Sequence, residues 1–426
     1  MTESFLHYIW QHQLLGDGLT TIDGQPVVCH RAGELNRDSG PDFIGARLKI
    51  GDVEWVGNVE VHIHTSDWRA HKHSQDPAYN NLLLHVVYEH DCEVRQQDGK
   101  VPLTLELKPY LHPSLVANYD SLMAPEPESG IPCARQIAEV PRFIVDSALD
   151  RLTLERIEDK SATVRRMIDE SHGNWEQTCY WLMARYFGGK VNALAFELLA
   201  KATDQRLLAR WKDNPQRLEA MLMGQAGLLE GYFEDEYPRR MQSDYEALRN
   251  GTGLEPIGGQ MWKFHRMRPS SFPTIRISQF AALVNRASNL FSTMLETTDV
   301  KQLEQLFDLQ ASKYWDNHYQ FDKITKTATP KRMGRAQTQM LIINAWVPLL
   351  FVYGSMHGQQ RYKDQAVALL EQLPPEDNVV VRRWCQVGMD PKSASSTQAL
   401  LQLYAKYCNS RRCLECRIGY QILKHK

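Results

Sequence analysis

Asn58-Val59-Glu60-Val61-His62-Ile63-His64 alternates without a slip. A strand turns successive side chains to opposite faces, so Val59, Val61 and Ile63 share one face and Asn58, Glu60, His62 and His64 the other. The first face suits a core. The second carries only functional groups and suits either the solvated side of an antiparallel sheet or a site.

Working outward, segments 26–30, 42–50, 81–90 and 101–107 also read as strands, punctuated by Gly40-Pro41, Gly51-Asp52 and Asp98-Gly99. Gly51-Asp52 predicts a tight hairpin between 42–50 and 54–64. Phe5, Leu6, Ile9 and Leu14 recur at helical spacing, and Gly16-Asp17-Gly18 ends that pattern. After residue 136 the texture becomes helical, as in 145–168, 175–187, 191–202, 278–295, 337–353 and 396–407. The expected architecture is α+β, with an N-terminal mixed-sheet domain over 1–123, a Pro-rich linker at 124–135 and an all-helical domain over 136–426.

The chain has 426 residues, 43% of them hydrophobic and 23% charged, enough for two cores and too ordered in composition for a disordered chain. Mean hydropathy is -0.45, and no apolar run reaches the roughly 18 residues that span a bilayer, so no membrane is expected. The first ten residues carry an acid and no Lys or Arg, which predicts no secretory leader and a cytoplasmic location. Oligomeric state is not legible. Charge divides unevenly: residues 1–135 hold 10 Lys and Arg against 19 Asp and Glu, a net of -9, whereas the remainder holds 39 against 32. Ten of the 15 histidines also precede residue 136. Carboxylates and imidazoles are metal ligands, so the chemistry is expected there.

Gly40-Pro41-Asp42-Phe43 opens the strand before the alternating one. Acids on adjacent strands can share Mg2+ or Mn2+, and Asp42 and Glu60 are so placed. The helix, three strands, helix, strand order with these acids resembles the PD-(D/E)xK nuclease superfamily over roughly residues 3–91. That resemblance implies metal-dependent hydrolysis of nucleic acid, with Asp42 and Glu60 as metal ligands and His62 where the superfamily has lysine. Glu34 or Glu3 could add a third carboxylate, and Asn36, Asn58, His64 and His85 could steady the ligands. A neutral imidazole offsets phosphorane charge less than lysine does. A catalytically inactive nucleic-acid-binding or scaffold protein on the same fold is therefore an alternative.

Residues 35–43, 55–62, 78–81 and 268–273, with the terminal cysteines, resemble an uncharacterised bacterial family known as domain of unknown function family 2851. This likeness runs nearly the whole length and implies no activity.

His71 and His73, flanked by Asp67 and Asp76, read most simply as surface loop residues. A second site for Zn2+ or Fe2+, from His62, His64, His71 and His85, would make the protein a His-based metal-dependent small-molecule enzyme instead. At the other end, Cys408, Cys413 and Cys416 fall within nine residues beside Arg411, Arg412 and Arg417, whose charge is expected to favour thiolate. With Cys133 as fourth ligand they predict a zinc or iron–sulfur site, as some nucleases of the resembled superfamily carry. The +7 of the helical part makes Arg165, Arg166, Arg239, Arg240, Arg266, Arg268 and Arg276 candidates for phosphate contacts, although most are expected on solvated helix faces.

Overall fold

The computed structural model describes residues 1–125, 129–287, 289–297 and 299–424. It forms two compact units, the first made of 1–148, 383–389 and 403–426 and the second of 149–382 and 390–402. The architecture is α+β, a mixed sheet in the first unit and a large helical second unit.

In the first unit, α1 (Glu3–His12) starts at Thr2, whose hydroxyl accepts from Phe5 N, and stops at Gln13 in the left-handed conformation. It buries Phe5, Leu6, Ile9 and Trp10, and the Trp10 indole donates to Ala32 O at 3.0 Å. The sheet strands are β1 (Val27–Arg31), β2 (Glu34–Leu35), β3 (Phe43–Ile50), β4 (Val53–His64), β5 (Leu82–Glu89) and β6 (Thr104–Glu106). Their order is β1-β3-β4-β5-β6, with β2 also paired to β3. β3 turns into β4 at Gly51, whose φ of 61° suits glycine, and the β1, β3 and β4 pairings are antiparallel.

β5 runs parallel to β4, so the chain must cross over between them. Residues 65–81 make that crossing through α2 (Asp67–Ala70) and two short 3-10 turns, His73–Gln75 and Pro77–Tyr79. Trp68 anchors it, fully buried, with its indole donating to Arg95 O. The crossover is why β4 is buried on both faces from Val59 to His62, where the sequence allowed one wet face. β6 is parallel to β5. α3 (Pro113–Met123) follows, and the C-terminal helix Arg417–Lys424, with Ile418, Ile422 and Leu423 buried, packs on it.

The first unit thus extends past the Pro-rich segment to Ala148 and recovers the last 24 residues, whereas the sequence boundary lay at 124–135. Residues 126–128 of that segment lie outside the described residues. Composition marks where strands give way to helices, a different property from where contacts thin out. α4 (Arg142–Glu170) carries the chain into the second unit.

Helices dominate the second unit, among them α5 (Trp175–Phe187) and α6 (Gly189–Ala202), around a core that includes Phe187, Phe196, Phe280 and Trp346. One small hairpin, His318–Gln320 with Lys323–Ile324, interrupts the helical pattern. The helix Arg335–Met356 is long and apolar enough to cross a membrane, and 67% of its most apolar stretch is buried within the protein.

The arginines proposed for phosphate are partly committed inside this unit. Arg166 bonds Glu170 and Glu197, Arg165 pairs with Glu158, and buried Arg276 donates to Gln279 and Gln337. Glu197 is 3% exposed and also meets Arg185 and Lys201. Burial pushes its carboxyl up, but bonds from Arg166, Lys201 and Arg185 outweigh burial and bring it down to about 2. Stability from this network is present above the ordinary carboxylate range and lost as pH falls through about 2. Glu197→Ala should cost about 2 kcal/mol in urea unfolding at pH 7, because three cations lose one acceptor.

Candidate metal centre

Asp42 arrives at the sheet through a loop shaped by Asn36. The Asn36 amide donates to Ser39 O and Pro41 O, each at 3.1 Å, its side-chain oxygen accepts from Asp38 N, and its backbone N–H donates to Asp42 O at 2.7 Å. Gly40 sits there at a φ of 98°, a conformation L side chains rarely adopt. Next, β3 carries a bulge: Phe43 faces Val59, but Ala46 faces Gly57, one residue out of step. Gly45 provides the bulge at a φ of 67°, and its N–H donates to Asn58 Oδ1 at 3.4 Å. Asn36 and Asn58 therefore build the backbone around Asp42.

Asp42 and Glu60 are tied to each other's strands. Asp42 N donates to Glu60 Oε2, and Val61 N donates to Asp42 Oδ2, both at 3.0 Å. From α1, His7 Nε2 comes within 3.1 Å of Asp42 Oδ2. Burial pulls the His7 pKa down, but the adjacent Asp42 carboxylate outweighs it and the value is raised. Glu60 is 4% exposed, and burial raises its pKa despite His73 beside it.

His62 follows Glu60 on the same face of β4, and the crossover folds His71 and His73 onto it. His62 Nε2 is 3.1 Å from His71 Nδ1 and 3.5 Å from Glu60 Oε1. His73 Nε2 is buried and lies 3.1 Å from Glu60 Oε1 without the alignment of a hydrogen bond. One ligand nitrogen from each of His62, His71 and His73 falls within 4.8 Å of the others; among the described residues this is the set of three that converges so tightly. His71 is exposed and opens the cluster to solvent, whereas His62 and His73 are buried.

Aromatic walls hold the imidazoles. Trp68 packs edge-on against His62 and His73, and Tyr79 lies on His73 with ring centres 3.9 Å apart. Behind His62, Nδ1 is 2.8 Å from His85 Nε2. With the Nε2 lone pair facing the cluster, Nδ1–H donates to His85, the outer hydrogen bond that orients a metal-binding imidazole. Burial, then neighbouring imidazoles, lowers His62 to about 2 and His85 to about 3. Both are neutral at physiological pH, as ligands must be.

The other expected site residues lie elsewhere. Glu34 is exposed and pairs with Arg31. His64 is exposed, and Asp67 accepts its backbone N–H at 2.8 Å, while Asp76 caps the turn at Ala78. His7, His73 and Tyr79 were not foreseen as site residues.

Cys133, Cys408, Cys413 and Cys416 line one hollow in the first unit. The arginines do not activate them as expected. Burial pushes Cys133 and Cys408 well up and Cys413 to about 11, with Arg411 only partly offsetting the last. The Arg411 guanidinium instead donates to Met123 O and Ala124 O, and Arg412 pairs with Glu415.

No curated protein and no solved structure matches the chain. A family model matches residues 3–379, most of the sequence that builds both units, and with it the chain belongs to the family described as protein of unknown function (DUF2851).

Proposed function

We propose that the first unit is a divalent-metal-dependent phosphodiesterase of nuclease type, its ion held by His62, His71 and His73 with Glu60. The observation that carries this is the convergence of three imidazole nitrogens beside Glu60 Oε1. Support for the nuclease type comes from the order α1, an antiparallel set β1 to β4 in which β1 and the two-residue β2 both pair with β3, then α2 and the parallel strand β5, with Asp42 at the mouth of β3 and Glu60-Val61-His62 on β4. The donor set does not fit Mg2+, which takes oxygen ligands; three nitrogens and one carboxylate fit Zn2+, Mn2+ or Fe2+. When bound, such an ion polarises a phosphoryl oxygen and makes water a better nucleophile at neutral pH.

The chain's own residues supply the rest. Glu60 stands between the imidazoles and Asp42, tying the cluster to the β3 mouth. Asp42, fixed by Val61 N–H, raises the pKa of His7, whose buried Nε2 faces the Asp42 carboxylate. His62 does not take over the charge of a lysine, since its imidazole stays neutral.

The test uses the full chain stripped with chelator and reloaded with Mn2+, Zn2+ or Mg2+, then offered DNA, RNA and a small chromogenic phosphodiester. Cleavage with Mn2+ or Zn2+ that falls at least about 100-fold in Glu60→Gln and His71→Ala is expected, on the scale of losing an essential catalytic group. No hydrolysis of any of them by metal-loaded protein would overturn it. The net charge of -9 over residues 1–135 repels polyanions and favours a second reading, a metal enzyme for small molecules. Hydrolysis of the chromogenic ester but of no polymer would select that reading. Polymer binding with steep salt dependence and no cleavage would select a non-catalytic binder.

A further inference from the structure

Arg276 is a cation that the second unit buries without an anion. It lies near the start of the helix Pro273–Arg286 and is 9% exposed. Its guanidinium donates to Gln279 Oε1 at 3.0 Å, Gln337 Oε1 at 3.2 Å and Ser271 Oγ at 3.5 Å, all of them neutral acceptors, and among the described residues no carboxylate pairs with it. Burial pulls its pKa down to about 10 with nothing to offset it, so the group stays charged at neutral pH. Taking a charge out of water against neutral partners alone is costly. Glu197, buried in the same unit, is met instead by Arg166, Arg185 and Lys201. Beside the guanidinium, Gln337 Nε2 is a buried donor with no partner.

The surroundings add positive charge. Ser271 stands two residues before the helix Pro273–Arg286, and Gln337 is in the first turn of the helix Arg335–Met356. Phe272 and Gly334, which precede these helices, supply no side-chain cap, so the positive ends of both dipoles stay unneutralised. Both stretches are also basic throughout: residues 256–295 hold five Lys and Arg, residues 323–363 hold seven, and neither holds an Asp or Glu. An unpaired guanidinium, an orphaned amide donor and two helix starts all call for a compact anion with several acceptor oxygens. We propose that Arg276, Gln337 and Ser271 form a receptor for a terminal phosphate group, free or at the end of an ester. A terminal phosphate enters a nearly closed site on its free oxygens with at most one ester arm behind it, whereas an internal diester carries two arms and suits an open groove. Ser271 and Gln337 are only half-buried, which gives the group a way in beside exposed Arg268, Pro269 and Ser270.

Calorimetric titration of the full chain with inorganic phosphate, at an ionic strength held constant with chloride, tests this. Saturable binding of one phosphate per chain is expected, weakened at least about 10-fold in Gln337→Glu, which sets a carboxylate against the guanidinium in the anion's place. Crystals soaked in tungstate, a heavy tetrahedral oxyanion, give a readout that needs no variant: the expected anomalous peak lies against the Arg276 guanidinium and Gln337 Nε2. A 5′-phosphorylated oligonucleotide that binds more tightly than phosphate, while its unphosphorylated twin leaves phosphate in place, assigns the group to a nucleic-acid end. Phosphate binding that neither oligonucleotide displaces assigns free phosphate or a small ester. No saturable phosphate binding, binding unchanged in Gln337→Glu, tungstate at other sites only, or displacement of phosphate by the unphosphorylated oligonucleotide would overturn the proposal. None of these results bears on the histidine centre, whose residues belong to the first unit.

Discussion

His62→Ala lowers affinity for Zn2+ or Mn2+ by on the order of 100-fold or more, measured by competition with a fluorescent chelator. Even removing an outer hydrogen-bond partner of a ligand costs roughly 10- to 100-fold, and His62 is within 3.1 Å of His71 and 3.5 Å of Glu60. His85→Ala, which removes the acceptor behind His62 Nδ1, should cost roughly tenfold. The exposed pair mate His64 is the control, and His64→Ala leaves affinity unchanged. Equal losses at His64 and His62 would mean that metal binds loosely to histidines of the region and that the cluster is not a site.

The second large effect is on acid stability. His62 and His85 are lowered to about 2 and about 3, so the unfolded chain binds more protons than the folded one at every pH between the ordinary histidine value and those values. Stability must then fall as pH drops below about 6.5, by about 1.4 kcal/mol per pH unit for each imidazole. Between pH 6.5 and 4.5 the pair removes roughly 5 kcal/mol, comparable with the whole stability of many domains. Glu60, raised by burial, works the other way over the carboxylate range and trims the lower end. Urea midpoints followed through a probe in the first unit should show this slope. His85→Asn, which cannot take a proton there, should halve it; an unchanged slope would mean that the imidazoles are not buried neutral.

How much of this was legible in the sequence depends on how far apart the cooperating residues lie. The alternation of Asn58 to His64 put Glu60 and His62 on one face without any tertiary information, and Gly51-Asp52 fixed the hairpin that brings Asp42 across. The strand and helix types followed from the same periodicities, with most element ends shifting by a few residues, but the helix expected over 278–295 divides into Pro273–Arg286 and Leu290–Leu295, and the short strands Glu34–Leu35, His318–Gln320 and Lys323–Ile324 were not expected. What the pattern could not give was the fate of the polar face. Parallel pairing of β4 with β5 forces a crossover, and the crossover buries His62 and folds in His71 and His73, which alone look like polar loop histidines. His7 was missed because it sits among Phe5, Leu6, Tyr8, Ile9 and Trp10, where a core helix and a site helix read alike.

Charge arguments made from sequence neighbours fared worst. Arg411 adjoins the cysteines in the chain, but its guanidinium is spent on backbone carbonyls, and burial governs the thiols. The histidine skew toward the first 135 residues and the crowding of cysteines after residue 407 did point to the two places where ligand-type side chains gather. Composition found the neighbourhoods, and only packing found the partners.

The most direct measurement is anomalous diffraction from crystals of the chain loaded with Zn2+ or Mn2+, collected on both sides of the metal's absorption edge. A single strong peak bounded by His62 Nε2, His71 Nδ1, His73 Nε2 and Glu60 Oε1 is the predicted result. A peak held by Asp42 and Glu60 with the histidines turned away, or no peak in the first unit outside the cysteine hollow, would contradict it.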